Sequence, residues 1–230
     1  MKSKILISVY LAVLATNIFG AETGNEYIQY ATKPLLMLLV ALLFISEMMN
    51  GNKSRFTFLV LLALFFSWLG DVLLMFQERQ SVFFLLGLTS FLIAHIVYVL
   101  FFHKIRIAET IMSRWWILLT VAAYYAGLII WLSPYLGDMK LPVRIYGLVI
   151  SFMLMMALHM LYIANNKAGR LFVAGAILFV VSDSILAVNK FYTPLWGASA
   201  WIMISYGVAQ LLIVMGAVKY LYRTKNNSIK

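Results

Sequence analysis

Apolar segments of about 20 residues, the length that crosses the hydrocarbon core of a bilayer, follow one another along almost the whole chain. Short polar linkers separate eight such segments, at residues 5–20, 33–49, 56–76, 82–102, 115–133, 143–164, 171–188 and 196–220. With 64% hydrophobic and 11% charged residues and a mean hydropathy of +0.94, the composition differs strongly from that of a soluble domain. Segments with alternating polarity, typical of a membrane β-barrel, do not occur in the sequence. The sequence therefore predicts an all-α, polytopic bundle of eight transmembrane helices that forms one domain over residues 1–230.

Lysine and arginine are distributed unevenly between the two sides of this predicted bundle. If the N-terminus is cytoplasmic, 13 of the 18 basic residues lie on the cytoplasmic side. The other five are Lys33, Arg79, Lys140, Arg144 and Lys190. Because cytoplasmic loops carry the excess of basic residues in membrane proteins, both termini are expected in the cytoplasm. This asymmetry and contact with anionic membrane lipid account for the net charge of +10, and no nucleic-acid partner is expected.

The first apolar segment has a second interpretation. It begins with Lys2 and Lys4, continues through an apolar core and ends in small residues, as a secretory signal peptide does. A signal peptide enters the membrane in the same orientation as the predicted first helix. The sidedness of the later segments is therefore the same under both interpretations.

Two aspartates lie inside the predicted helices. Asp71 is in LFFSWLGDVLLMF (64–76) and Asp183 is in FVVSDSILAV (179–188). An ionisable group there costs about 2.5–3.5 kcal/mol on insertion scales and is a functional candidate. At the rise of an α-helix, the two lie about 22 Å and about 18 Å from the cytoplasmic ends of their helices. We therefore expect them in one cavity that opens toward the outer face. The alternative is that neighbouring serines satisfy both carboxylates, which then only hold helices together.

A pair of carboxyl groups in a dry cavity has a specific chemical consequence. If the two approach each other, one is expected to keep its proton at neutral pH, which is the state that a general acid needs. The chain has no cysteine, so thiol catalysis is excluded.

Several polar residues are predicted at the outer ends of the helices, around the mouth of this cavity. They are Lys33, Arg144, Tyr146, Asn189 and Lys190, with Tyr206 approaching the same level from the last helix. The three cations are candidates for holding a lipid phosphate, and the two lysines could instead extend to the membrane surface. Arg144 also begins a stripe with Gly147, Ser151 and Met155, which is predicted to face the interior of the bundle.

The histidines are predicted at a different depth. His95 and His159 lie about 20 Å and about 24 Å from the outer face, so they differ in depth from the aspartates by about 10 Å. For His95, with Tyr98 nearby on the same helix, an interhelical hydrogen bond is favoured over ligand binding. A metal site built from both histidines and both aspartates is disfavoured. No metal and no other cofactor are expected.

Six short segments carry a family resemblance. They are KPL (33–35), GDVLL (70–74), AHIVY (94–98), RIYG (144–147), VVSDSILAVNKF (180–191) and SYGVAQLLI (205–213). Together they resemble the lysoplasmalogenase family, also called the YhhN-type membrane proteins, over residues 30–218. The resemblance implies an eight-helix membrane hydrolase. Members of that family cleave the vinyl ether bond of lysoplasmalogens to a fatty aldehyde and a glycerophospho-base.

The resemblance also implies a set of site residues. They are Lys33, Asp71, His95, Tyr98, Arg144, Tyr146, Asp183, Asn189, Lys190, Tyr206 and Gln210. We expect Asp71 and Asp183 to be catalytic, one as the acid, and the other residues to bind substrate. Gly207 stands where the family often has a second tyrosine. The implied substrate is a lysophospholipid, membrane lipid is the other expected partner, and the expected location is a bacterial inner (cell) membrane.

A proton-coupled transporter of a small or lipid-like anionic substrate is the alternative function. Such a protein also needs buried carboxylates and cationic groups. However, residues 1–115 and 116–230 show no convincing internal similarity, and no apolar segment is plainly interrupted at mid-depth. The sequence therefore favours the hydrolase.

Overall fold

The computed structural model describes residues 2–48 and 55–227 and has eight α-helices within them. They are α1 (Lys2–Glu22), α2 (Glu26–Met48), α3 (Arg55–Leu74), α4 (Ser81–Ala108), α5 (Trp115–Leu132), α6 (Lys140–His159), α7 (Asn166–Phe191) and α8 (Ala198–Asn227). Short 3-10 helices occur at Ser133–Tyr135, Gly137–Met139 and Met160–Tyr162. All eight α-helices give segments long and apolar enough to cross a membrane, and the described residues contain no strand. The expected all-α membrane bundle is confirmed.

Several helices extend beyond their apolar segments because polar residues continue the backbone hydrogen bonding. Helix α7 begins at Asn166, where the Oδ1 atom of Asn165 accepts the backbone N–H of Ala168 at 3.2 Å. Helix α2 begins at Glu26, before the predicted segment 33–49, and contains Pro34 in its interior. Hydropathy alone missed the polar first turns of α2, where Asn25 Oδ1 accepts the N–H of Ile28 at 3.2 Å.

Seven of the described helices form a closed ring in the order α1, α2, α3, α4, α6, α7, α8. Helix α8 completes the ring by contacting both α1 and α2, and α5 lies outside it, packed against α6. Helix α1 is joined to α8 by a hydrogen bond from the Tyr10 hydroxyl to the Gly207 carbonyl oxygen at 2.9 Å. The side chains of α3, α4, α6, α7 and α8 can therefore meet inside the ring.

The contact between α7 and α8 depends on close approach of the two backbones. A Cβ atom on Gly175 of α7 would lie 2.9 Å from the carbonyl oxygen of Ala209 and 2.7 Å from the Cγ1 atom of Ile213, both on α8. Small residues at such contacts are typical of membrane helix pairs, since packing rather than hydrophobic burial drives their association.

We expect Gly175→Ala to lower the free energy of unfolding by roughly 1–3 kcal/mol, because the added methyl group overpacks this contact. Gly127→Ala is the matched control, since a Cβ atom on Gly127 of α5 would have no atom within 4 Å. Removing that glycine should leave stability unchanged or raise it slightly. Thermal unfolding of both variants in detergent measures the difference, and equal melting temperatures would contradict the close contact.

Candidate active site

The two intramembrane aspartates line the same cavity. Its volume is about 210 Å³, and it lies at the end of the bundle where α1, α3 and α7 end and where α2, α4 and α8 begin. This end is opposite to both termini of the described chain. Asp71 is 2% exposed, and the Asp183 side chain is 14% exposed. The interior of the ring thus brings together the two carboxylates that the sequence singled out.

Asp71 is held by a tyrosine from α8. The Tyr206 hydroxyl donates a hydrogen bond of 2.7 Å to Asp71 Oδ2. Phe91 and Phe179 contact the Tyr206 ring edge to face, with ring centres 5.7 Å and 5.4 Å away. These aromatic contacts fix the ring, so its hydroxyl is directed at the carboxylate. Lys33 of α2 lines the same cavity and supplies positive charge there.

Asp183 belongs to a cluster of three polar side chains. The Tyr146 hydroxyl donates a hydrogen bond of 2.5 Å to Asp183 Oδ2. The Nε2 atom of His95 lies 2.9 Å from the Tyr146 hydroxyl and 3.3 Å from Asp183 Oδ2. When the tyrosine hydrogen is directed at Asp183, the histidine tautomer with its hydrogen on Nε2 completes the contact with the tyrosine oxygen. The Nδ1 atom of His95 is buried and has no hydrogen-bond partner among the described residues.

Helix direction explains why these side chains meet. In an α-helix each side chain leans toward the N-terminus of its own helix. Successive spanning helices run in opposite directions, so Asp183 on α7 leans toward His95 on α4 and Tyr146 on α6. The same geometry brings Asp71 on α3 toward Tyr206 on α8.

The prediction that His95 and the aspartates differ in membrane depth by about 10 Å is therefore wrong, since His95 contacts Asp183. The depth count assumed that all helices end in common planes, and it ignored the length and lean of the side chains. His159 does lie elsewhere. Its Nδ1 atom is 2.7 Å from the Met155 carbonyl oxygen, and its Nε2 atom accepts the N–H of Arg114 at 3.3 Å. No group of three or more His, Asp or Glu side chains in the described part of the chain could hold a metal ion.

Tyr98 and Gln210 are fully buried and form a second polar layer next to the cavity. The Tyr98 hydroxyl donates to Gln210 Oε1 at 2.7 Å, and Gln210 Nε2 donates to Ser67 Oγ at 2.9 Å. Ser67 precedes Asp71 by one helical turn, and Gln210 follows Tyr206 by one turn. Neither Tyr98 nor Gln210 lines the cavity. Their assignment to substrate binding stays a prediction, and their observed contacts hold α3, α4 and α8 together.

The predicted cations do not all reach the cavity. Lys33 lines it, whereas Lys190 lies 3.8 Å from Glu78 Oε1 and is 39% exposed. Arg144 is exposed and donates to Ser133 Oγ at 2.7 Å. Asn189 lines the cavity, and its Oδ1 atom accepts the N–H of Leu195 at 2.9 Å. The binding roles of Arg144 and Lys190 stay predictions, with neither side chain at the cavity wall.

The stripe on α6 was assigned to the wrong side of that helix. Gly147 and Ser151 face the side occupied by α5, and the interior of the ring receives Tyr146 instead. The equal spacing of these residues defines a face of the helix, but the spacing does not show which neighbour that face contacts.

Sequence reasoning missed several polar residues of the cavity wall. They are Asn17, Gln29, Gln77, Ser182 and Ser199. Asn17 is 1% exposed, and its Nδ2 atom donates to Thr32 Oγ1 at 2.8 Å. As an amide inside the first apolar segment, Asn17 could have been found by the rule that singled out the aspartates. Gln29 and Gln77 lie next to apolar segments, where nothing in the sequence separates them from ordinary linker residues.

A polar vestibule adjoins the cavity. Its volume is about 310 Å³, and Gln29, Lys33, Leu74 and Gln77 line both spaces. The charged residues of its wall are Glu26, Lys33, Glu78 and Arg79. The site therefore has a part that contains the two carboxylates and a second, charged part that adjoins it.

The packing of helix α1 against α8 explains why position 207 is a glycine. A Cβ atom there would lie 2.9 Å from Leu14 Cδ1 and 3.0 Å from the Tyr10 hydroxyl. A tyrosine at this position would collide with α1. The departure from the expected pair of tyrosines thus fits the way in which α1 packs on α8.

Comparison with known proteins identifies the family. The model of the YhhN family matches residues 28–217, from α2 into α8. Lysoplasmalogenase TMEM86B of Rattus norvegicus is 31% identical over 189 residues, which are 81% of this chain and 71% of that protein. Lysoplasmalogenase of Mycobacterium bovis is 29% identical over 214 residues, which are 90% of this chain and 78% of that protein.

Lysoplasmalogenase TMEM86B of Homo sapiens is 34% identical over 157 residues, which are 68% of this chain and 62% of the human protein. None of the solved structures matches this chain. The family match covers most of the sequence and includes every residue that lines the cavity except Asn17 and Ala21. The resemblance found in the sequence is thereby confirmed, and this chain belongs to the YhhN family.

Proposed function

We propose that this chain is a membrane hydrolase that cleaves the vinyl ether bond of lysoplasmalogens to a fatty aldehyde and a glycerophospho-base. The observation that carries the proposal is the pair of carboxylates in one cavity of the bundle, each accepting a hydrogen bond from a tyrosine. The names of the relatives support hydrolysis over transport, the alternative that the sequence left open.

The reaction requires acid catalysis at carbon. A carboxyl group gives its proton to the alkenyl carbon farther from the ether oxygen, and the electrons of the double bond form the new C–H bond. The oxygen lone pair then stabilises the neighbouring carbon as an oxocarbenium ion. Water adds to that carbon and loses a proton to a carboxylate. The resulting hemiacetal separates into aldehyde and alcohol, so the net change is the addition of one water molecule.

Asp71 and Asp183 are proposed to divide these tasks. One donates the proton, and the other stabilises the cation and accepts a proton from water, as the two carboxyl groups of glycoside hydrolases do. Tyr146 and Tyr206 orient the carboxylates through their hydrogen bonds. His95 holds the Tyr146 hydroxyl in position, since its Nε2 atom contacts the tyrosine oxygen.

The polar part of the substrate is proposed to occupy the vestibule. Lys33 lies where the vestibule and the cavity meet, so its ammonium group can pair with the lipid phosphate. Arg79 gives the vestibule wall a second positive charge. Arg144, Lys190 and Asn189 remain candidates for contacting the head group at the rim.

The proposed location is a bacterial inner membrane with both termini in the cytoplasm. The excess of lysine and arginine on the side of the termini supports this orientation. Because the cavity lies at the opposite end of the bundle, it would then accept substrate from the outer leaflet.

Mass spectrometry of the purified protein with substrate in D2O tests the proposal. We expect fatty aldehyde with one deuterium on the carbon next to the carbonyl, because that carbon receives the proton from the acid. An ordinary acyl lysophospholipid is the control and should yield no free fatty acid. Free fatty acid would indicate an esterase, and the absence of aldehyde from lysoplasmalogen would refute the proposal.

A further inference from the structure

Two smaller spaces lie between the active-site cavity and the outer surface of the bundle, and each shares wall residues with the next. Tyr146 and Asp183 line both the main cavity and a second cavity of about 40 Å³ between α5, α6 and α7. Tyr125 and Ser151 line that second cavity and also a groove of about 100 Å³ between α5 and α6. We name these two smaller spaces together the tail passage.

The walls of the tail passage are mainly apolar, whereas the wall of the main cavity carries many polar side chains. Apart from Tyr125 and Ser151, the groove is lined by aliphatic and aromatic side chains, and two of them, Leu118 and Phe152, are 53% and 46% exposed on the outside of the bundle. In a spanning bundle that outer surface faces the hydrocarbon of the membrane. Asp183 therefore lies at the boundary between a polar space and an apolar one.

Two small residues on α6, Gly147 and Ser151, line the tail passage. A Cβ atom on Gly147 would lie 3.3 Å from the Tyr125 ring, so even a methyl group would narrow the space. Ser151 is 4% exposed, and its hydroxyl has no hydrogen-bond partner among the residues that the structure describes. Ser151 lines both parts of the passage, and its small side chain leaves room where they meet.

We propose that the tail passage holds the hydrocarbon chain of the lysolipid substrate, an inference that rests on the proposed function. In a lysoplasmalogen the vinyl ether is the junction between the polar glycerol and the apolar chain. In the protein, Asp183 is the carboxylate at the junction of the polar cavity and the apolar passage. Superimposing the two junctions places the double bond beside Asp183, the head group toward Lys33, and the far end of the chain between α5 and α6.

This arrangement assigns the two aspartates. Asp183 lies next to the alkenyl carbons and gives the proton, while Asp71, which lines the main cavity but not the passage, takes the remaining task of stabilising the cation and accepting a proton from water. Helix α5 packs on α6 outside the ring, so a chain that passes between α6 and α7 can lie along the groove and continue into the bilayer.

Photolabelling tests the tail passage without requiring hydrolysis. The probe is a lysophospholipid with a saturated ether chain, which contains no vinyl ether to cleave, and with a diazirine in the middle of that chain. We expect labelling of peptides from α5 and α6 that an excess of unlabelled probe prevents. The proposal would be overturned if the labelling that excess probe prevents were confined to α1, α2 and α3. It would also be overturned if excess unlabelled probe left the labelling of α5 and α6 unchanged.

Ser151→Phe tests the same proposal through substrate preference. The ring fills the space shared by the two parts of the passage, so the ratio of kcat/KM for a long to a short alkenyl chain should fall roughly tenfold. The amount of labelling on α5 and α6 that excess unlabelled probe prevents should fall as well. Ile145→Phe is the matched control, because Ile145 is a 45% exposed residue of α6 outside the passage wall, and its ratio should equal that of the unaltered protein.

Gly147→Val provides a second way to narrow the passage if the Ser151 variant does not fold. An unchanged ratio in a folded Ser151 or Gly147 variant would overturn the proposal. If the unaltered protein cleaves neither chain length, the proposed function fails, and the labelling experiment still decides whether a hydrocarbon chain occupies the passage.

Discussion

Asp183→Asn is expected to lower kcat for lysoplasmalogen by about 10³-fold or more, near the upper end of what a positioned general acid contributes. Asparagine has the same shape as aspartate but cannot give up a proton to carbon. Its side-chain oxygen can still accept the hydrogen bond from Tyr146. The variant should therefore fold and bind substrate while turning it over very slowly, which a kinetic assay of aldehyde release measures.

Asp138→Asn is the matched control for this prediction. Asp138 is exposed in the connection between α5 and α6, so the same chemical change there should leave kcat unaltered. Comparing the melting temperatures of both variants separates loss of chemistry from loss of structure. Turnover by a folded Asp183→Asn protein at the rate of the control would remove Asp183 from the mechanism.

The fold was predictable because the membrane imposes a simple rule. A backbone inside hydrocarbon must satisfy its own hydrogen bonds, so each long apolar segment becomes a helix. The number of helices follows from the number of segments. Helix ends were less predictable, because the polar turns at the starts of α2 and α7 carry no apolar signal. The ring order was not predictable, since eight apolar helices offer many similar surfaces to one another.

The site was predictable in part for the same reason. A carboxylate is so costly in hydrocarbon that Asp71 and Asp183 stood out from the surrounding sequence. Tyr146 and Tyr206 did not stand out by composition, because the chain contains 13 tyrosines. That His95 lies within 3.3 Å of Asp183 depends on the direction in which each helix runs and each side chain leans. Counting residues from the ends of the helices could not capture either property.

The face of α6 shows a further limit of sequence patterns. The stripe from Arg144 to Met155 was correctly recognised as one face of a helix, but that face meets α5 and not the interior of the ring. Which face of a membrane helix contacts which neighbour depends on packing between helices, and those contacts join distant parts of the chain. The tail passage could be found only after α5 had been placed beside α6.

Asp71→Asn is expected to lower kcat by about 10²-fold, less than the Asp183 variant, because Asp71 acts on the water and the cation and not on the first proton transfer. Tyr206→Phe removes the hydroxyl that orients this carboxylate and should lower kcat by roughly tenfold. Since the hydroxyl acts through Asp71, the double variant should be no slower than Asp71→Asn alone.

A double-mutant cycle measured on kcat distinguishes this linkage from independent roles. If Tyr206 contacts the substrate itself, the two losses will multiply, and the double variant will be about 10³-fold slower than the unaltered protein. Tyr222→Phe is a suitable control, because Tyr222 lies on the same helix and donates its hydroxyl to the Glu47 carbonyl oxygen, away from the cavity. Its kcat should stay unchanged. Full activity of a folded Asp71→Asn protein would leave Asp183 as the sole catalytic carboxylate and would require another group to activate water.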